Sequence, residues 1–126
     1  MGVKLNGEKG YSRFRYIGDF LSEAGYQVDL ITTTFQHWEK AQRDIDTIKK
    51  EDYKFRLKFI YEPGYRKNID PRRIWSHHIA AKNLTRLLEQ EGDYDLIYCE
   101  IPPNDVALAA AEYAKNKGSP FVPDVN

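Results

Sequence analysis

Four groups of residues in this sequence have the types and spacing that chemistry needs. Glu100 and Asn104 flank two prolines directly after the apolar run Leu-Ile-Tyr-Cys at 96–99. A carboxylate at the end of a strand accepts hydrogen bonds from substrate hydroxyls or takes part in proton transfer; otherwise it serves as a cap or a salt bridge. His37 and Trp38 follow a β-branched run. Either the indole stacks on a sugar while the imidazole bonds a hydroxyl, or the pair is an apolar plug for a long loop. Gly7 and Gly10 precede a helix whose unpaired amides and dipole favour an anion, or they belong to a flexible leader. Arg13, in the first turn of that helix, reaches the same anion or makes a surface ion pair. Arg66, Lys67, Arg72 and Arg73 lie beside Trp75 and Ile79. Such a group suits anionic lipid headgroups or a lipid-linked pyrophosphate, unless it is simply a solvated face.

The elements that must hold these residues follow from periodicity. Phe14, Ile17, Leu21 and Ala24 predict a helix over 12–24, capped by Ser12 and stopped by Gly25. Strands are expected at 28–32 and 55–61, the second with Phe55, Leu57 and Phe59 on one side. Between them, 33–54 is a long charged segment without a clear period. Asp70-Pro71 caps and opens a helix to about residue 90, with Ile74, His77, Ala81, Leu84 and Leu88 on one stripe. His77 then reads as a core histidine. The run 96–99 predicts a strand buried on both faces, holding Cys99 as an inert thiol, before an alanine-rich helix over 104–116 that Asn104 or Asp105 caps. A last strand at 121–125 carries an awkward Pro123.

This order predicts one α/β domain over residues 1–126, a Rossmann-like open parallel sheet flanked by helices, with ligands outside the carboxyl ends of its strands. The first central strand is short or missing: Val3 to Leu5 makes a stub of it, or something else fills the place. Nineteen basic residues balance nineteen acidic ones, so overall charge does not favour nucleic acid. One cysteine excludes an internal disulfide and fits a reducing cytosol. No run approaches the roughly 20 apolar residues of a membrane span. Three histidines and one cysteine at these spacings make no zinc site. The expected place is the cytoplasm, with peripheral contact at the inner face of the cell membrane if the basic group is used.

Several stretches together resemble the amino-terminal domain of glycosyltransferase family 4. They are Asn-Gly-Glu-Lys-Gly-Tyr-Ser-Arg-Phe-Arg-Tyr at 6–16, Ala-Gly-Tyr-Gln-Val-Asp-Leu-Ile-Thr-Thr at 24–33, Tyr-Asp-Leu-Ile-Tyr-Cys-Glu at 94–100 and Pro-Phe-Val-Pro-Asp-Val-Asn at 120–126. Thr-Phe-Gln-His-Trp-Glu-Lys at 34–40 looks most like members that build capsular polysaccharide or lipopolysaccharide. The resemblance implies the acceptor-side half of a GT-B enzyme, which moves a sugar from a nucleotide-diphosphate sugar to a lipid-linked or oligosaccharide acceptor. The transfer retains anomeric configuration and requires no metal or other cofactor. The donor-binding half is absent, so the 126 residues alone are expected to be inactive. By the same resemblance Gly7 and Gly10 approach the donor diphosphate, although Glu8-Lys9 replaces the compact Gly-Gly of many members. Glu100 stands where many members carry a histidine at this strand end, and Asn126 where many carry one close to the reacting sugar, a place at which asparagine cannot titrate. Two other readings compete: a non-catalytic flavodoxin-like binding module, and a partner subunit that docks on a separate donor-binding chain or forms an oligomer.

Overall fold

The structure is a computed structural model that describes residues 4–6, 8, 12–101 and 103–125. In chain order it holds α1 (Arg13–Glu23), β1 (Asp29–Thr33), β2 (Phe35–Gln36), β3 (Ala41–Gln42), β4 (Arg56–Ile60), α2 (Pro71–Glu91), β5 (Ile97–Ile101), α3 (Asn104–Lys117) and β6 (Phe121–Val125). Local chemistry sets most of the ends. Ser12 accepts from the Arg15 amide at the start of α1, and Asp70 accepts from the Arg72 amide ahead of Pro71. Gly118 closes α3 at φ 72°, where a side chain would be strained.

The strands make two parallel pairs. β1 runs beside β4 with Asp29 opposite Arg56, and β5 beside β6 with Ile97 opposite Phe121. Helices cover both faces. On one side Leu30, Phe55 and Leu57 meet Leu5 and Phe14 of the α1 layer. On the other, Ile31, Ile60 and Ile97 share a cluster with Ala80, Leu84 and Leu88 of α2 and Val106 and Ala110 of α3. The result is an α/β arrangement of parallel strand pairs between helical layers. Pro123 fits because of its parity. Ile97 N–H donates to the Pro120 carbonyl, so the alternation of a parallel ladder turns Pro123's backbone nitrogen away from β5.

Several expectations need correction. The segment 33–54 contains the antiparallel hairpin β2–β3 and two 3-10 turns, Ile45–Thr47 and Lys50–Asp52. Leu5 is buried but forms no strand, Val3 lies outside the described residues, and no described strand pairs with the second edge of β1 or of β5. With one ladder partner among the described residues, and the Phe14 ring against Tyr98, β5 is half-exposed rather than doubly buried. The buried stripe of α2 is Ser76, Ala80, Leu84 and Leu88, which leaves Ile74 exposed and His77 at the margin. Asn104 and Asp105 do not cap α3, since Pro103 occupies the cap position without a side-chain bond.

The strand pairs are tied at their amino ends by Asp29. Its side chain is 2% exposed and accepts from Arg56, from Lys58 at 3.0 Å and from the Tyr94 hydroxyl at 2.5 Å, just ahead of β5. Burial alone would raise this carboxyl's pKa, but the bonds from Tyr94, Lys58 and Arg56 outweigh it and hold the group below the ordinary aspartate range. A depressed carboxylate stabilises the fold above its unfolded pKa, and that contribution is lost as pH falls through the native value. Asp29→Asn is therefore expected to lower neutral-pH stability by about 2 kcal/mol, as loss of a buried charged hydrogen-bond partner does. It should also flatten the acid limb below about pH 4, read by urea titrations at a series of pH values.

Candidate functional site

The chain leaving β4 is folded back against α2 by one buried acid. Glu62 accepts from the Ser76 hydroxyl at 2.8 Å, and that hydroxyl accepts from the Gly64 amide at 2.9 Å. Gly64 has φ 90°, and a Cβ there would lie 2.5 Å from the Phe35 ring, so only glycine fits the turn. The turn delivers Tyr65 into a cluster of rings, with Phe35 at 5.1 Å and His37 and His77 each at 5.8 Å. Arg73 lies over the Tyr65 ring and donates to the Asn68 carbonyl at 3.1 Å.

Beside this cluster opens a cleft of about 580 Å³, lined in part by Asn68, Asp70, Arg73, His77, Asn104 and Asp105. Its walls are the loop after β4 with the start of α2, and the start of α3 after β5. It therefore lies at the carboxyl ends of parallel strands, where the loops of an α/β fold bind ligands, and its volume is that of a small-molecule site. The charges are mixed: Arg73 and His77 stand with Asp70 and Asp105. Asp70 is occupied as the α2 cap, while the first turn of α3 carries no side-chain cap. Most of the exposed lining is apolar, with Ile69, Pro71, Ile74 and Pro103 contributing, and donors and acceptors of both signs are set among them, a composition that suits the ring faces and hydroxyls of a neutral ligand better than a polyanion.

Both histidines packed against Tyr65, of which His77 lines the cleft, are held neutral. Burial, reinforced by Lys40 and Arg73, lowers the His37 pKa to about 4. Burial also lowers that of His77, against the pull of Glu62, whose carboxylate is 3.8 Å from Nε2. The Tyr65 hydroxyl lies 2.5 Å from His37 Nδ1. A neutral ring either accepts there from the Tyr65 hydroxyl or donates to it, according to which nitrogen carries the proton. The Cys99 thiol is raised to about 11, by burial first and then by Glu100, which makes it a poor nucleophile.

The structure gathers some sequence-predicted residues and separates others. Asn104 lies in the cleft, and Arg73 turns inward toward it. His37 and Trp38 sit in the β2–β3 turn, His37 against Tyr65 and Trp38 exposed with the Lys4 ammonium 4.4 Å from its ring. Glu100 is half-buried near the end of β5, opposite Asp124 of β6. Arg13 pairs through two nitrogens with Asp124, which also accepts from Tyr98 at 2.5 Å, so it ties α1 to β6. Arg66, Lys67, Arg72 and Trp75 are exposed outside the cleft. Gly7, Gly10 and Asn126 lie outside the described residues. Glu8, between the glycines in sequence, accepts from Leu5 N–H at 3.0 Å, Gln36 at 2.9 Å and Arg43 Nε at 2.9 Å, which fastens Leu5 and Glu8 to the β2–β3 segment.

His77, Tyr65, Glu62 and Asp105 were not foreseen as site residues. Glu-Pro-Gly-Tyr at 62–65 signalled a turn, but nothing local shows that the turn carries a buried acid and a ring into a cleft. Stepping about 100° per residue from Arg73 would have placed His77 nearby. No family model matches the chain, and no characterised protein or solved structure is significantly similar to it.

The lowered His37 pKa has a readable consequence. A histidine kept neutral in the fold favours folding above its unfolded pKa of about 6.5, and this contribution falls away as pH drops toward 4. Ring NMR of His37 is expected to show a neutral imidazole at pH 5.5. Replacing it by Gln should reduce the slope of stability between pH 6.5 and 4, and an ordinary titration midpoint would contradict the buried pairing with Tyr65.

Proposed function

We propose that this chain is the acceptor-binding α/β domain of a retaining, nucleotide-sugar-dependent glycosyltransferase that extends a surface polysaccharide. In this reading the two parallel pairs are the halves of one Rossmann-like open sheet whose central place lies between β1 and β5. The observation that carries it is the cleft at the carboxyl ends of β4 and β5. Its mixture of Asn104, Asp105, Arg73 and neutral His77 is suited to hydroxyl groups. The resemblance of four separate stretches to glycosyltransferase family 4 supplies the reaction class.

Each residue then has a part. Asn104, Asp105 and His77 bond acceptor hydroxyls, Trp38 offers at the neighbouring turn the part of its ring that the Lys4 ammonium leaves exposed, and Glu100 accepts from a hydroxyl nearer the strand ends. Asn126 contributes hydrogen bonding without acid–base chemistry. The nucleotide sugar belongs mainly to a facing donor domain, with the Gly7–Gly10 loop at its diphosphate, so the chain alone binds acceptor without turning it over.

Saturation-transfer NMR with a panel of neutral oligosaccharides tests this reading, together with emission from the Trp75→Phe chain, in which Trp38 is the sole tryptophan. Binding with a shifted Trp38 signal is expected. Asn104→Ala or His77→Ala should weaken it about tenfold, the value of one or two hydrogen bonds. No saccharide binding by a chain shown to be folded would defeat the sugar reading and favour a non-catalytic binding module.

A further inference from the structure

Ile69 is 97% exposed, Ile74 is 72% exposed and Trp75 is 56% exposed. Exposed apolar side chains elsewhere include the Tyr16 and Phe20 pair on α1 and scattered residues of loops and strands, as in most proteins, but none of these has three basic residues exposed beside it within ten positions and only one acid, itself spent as a cap. Ile69, Ile74 and Trp75 fall within the seven residues 69–75, with Arg72 exposed among them and Arg66 and Lys67 exposed just before them. Asp70, the sole acidic residue of 66–75, is spent on the α2 cap. The first turn of α2 presents Ile74 and Trp75 on its outward side because its inward side holds Arg73 and Ser76.

We propose that residues 66–75 form a peripheral docking site for an anionic phospholipid bilayer. Ile69, Ile74 and Trp75 enter the boundary between headgroups and acyl chains, where aliphatic side chains and indole rings partition. Arg66, Lys67 and Arg72 engage the lipid phosphates. Charge complementarity favours this occupant: the whole chain carries no net charge, so attraction to an anionic surface comes from a local patch and orients the molecule by it. Among the described residues no helix is long and apolar enough to cross a membrane, and three inserted side chains with a basic collar make a reversible contact. Ile69 and Ile74 also line the cleft, so docking sets its rim at headgroup height and admits a ligand carried on a lipid anchor. The docking rests on the patch alone and does not require the sugar-transfer reading.

Co-sedimentation with vesicles of mixed phosphatidylglycerol and phosphatidylcholine tests the proposal, with pure phosphatidylcholine as comparison. The Trp38→Phe chain makes Trp75 the sole fluorescent reporter. Expected are binding to the anionic vesicles only, a blue shift of Trp75, and weakening as salt shortens the screening length. Ile69→Ser, at a position too exposed to affect folding, should lower the partition coefficient about tenfold, as loss of one buried aliphatic group does. The triple change Arg66→Gln, Lys67→Gln and Arg72→Gln should lower it on the order of a hundredfold, about fivefold per charge. No binding to anionic vesicles, or binding with Trp75 emission unmoved, overturns the proposal. So does equally strong binding of single-stranded RNA or polyglutamate that Ile69→Ser leaves unchanged, which would identify a polyanion rather than a bilayer.

Discussion

One carboxylate joins the two parallel strand pairs. Asp29 opens β1, yet the hydroxyl it accepts comes from Tyr94 on the approach to β5. No ladder hydrogen bond connects β1 with β5 among the described residues. The pairs are held in common by that contact and by the shared cluster beneath them, in which Ile31 and Ile97 meet side chains of α2 and α3. A nearly inaccessible charge is costly unless well paired, and Arg56, Lys58 and Tyr94 supply the pairing. The contact brings the amino ends of β1 and β5 together, and the cleft brings together the segments that follow β4 and β5. The four main strands therefore point one way and leave their loops at one end.

That common direction gives the cleft its composition. Its walls come from segments separated by some thirty positions in the chain, and α2 packing on α3 through Ala80, Leu84, Val106 and Ala110 sets their spacing. Small side chains at Ala80 and Ala110 let the two helices approach closely, so their amino termini open into one space. The Glu62–Ser76–Gly64 chain then fixes the loop above it. A buried acid bonded on one side by a hydroxyl that is itself bonded by an amide leaves little freedom to the turn, and Tyr65 and His37 inherit that order.

Much of the fold was legible in the sequence because local rules wrote it. Ser12, Asp70-Pro71, Gly25 and Gly118 mark helix ends by chemistry that acts within a few residues, and the alternation at 55–60 separated Leu57 from Ile60 onto opposite faces as found. The errors arose where distant partners decide. Ile74 has the hydropathy of a stripe residue, but the inward position on α2 belongs to Ser76, whose hydroxyl is satisfied by Glu62. Hydropathy cannot identify a serine as core. A stripe begun at Ile74 puts His77 in the core, whereas it stands on the cleft wall. Glu8 likewise could not be recognised as a staple, since Arg43 and Gln36 reach it from a hairpin that has no strong local signal.

The parity of Pro123 has a bearing on how the molecule keeps company. The outer margin of β6 would otherwise present a row of amides and carbonyls to which a neighbouring polypeptide could zip. A pyrrolidine ring in the middle of a five-residue margin removes a donor and adds bulk where such a neighbour would lie. Crowded copies of this protein are thus denied fibre-like stacking along that flank, and its stickiness is left to side chains.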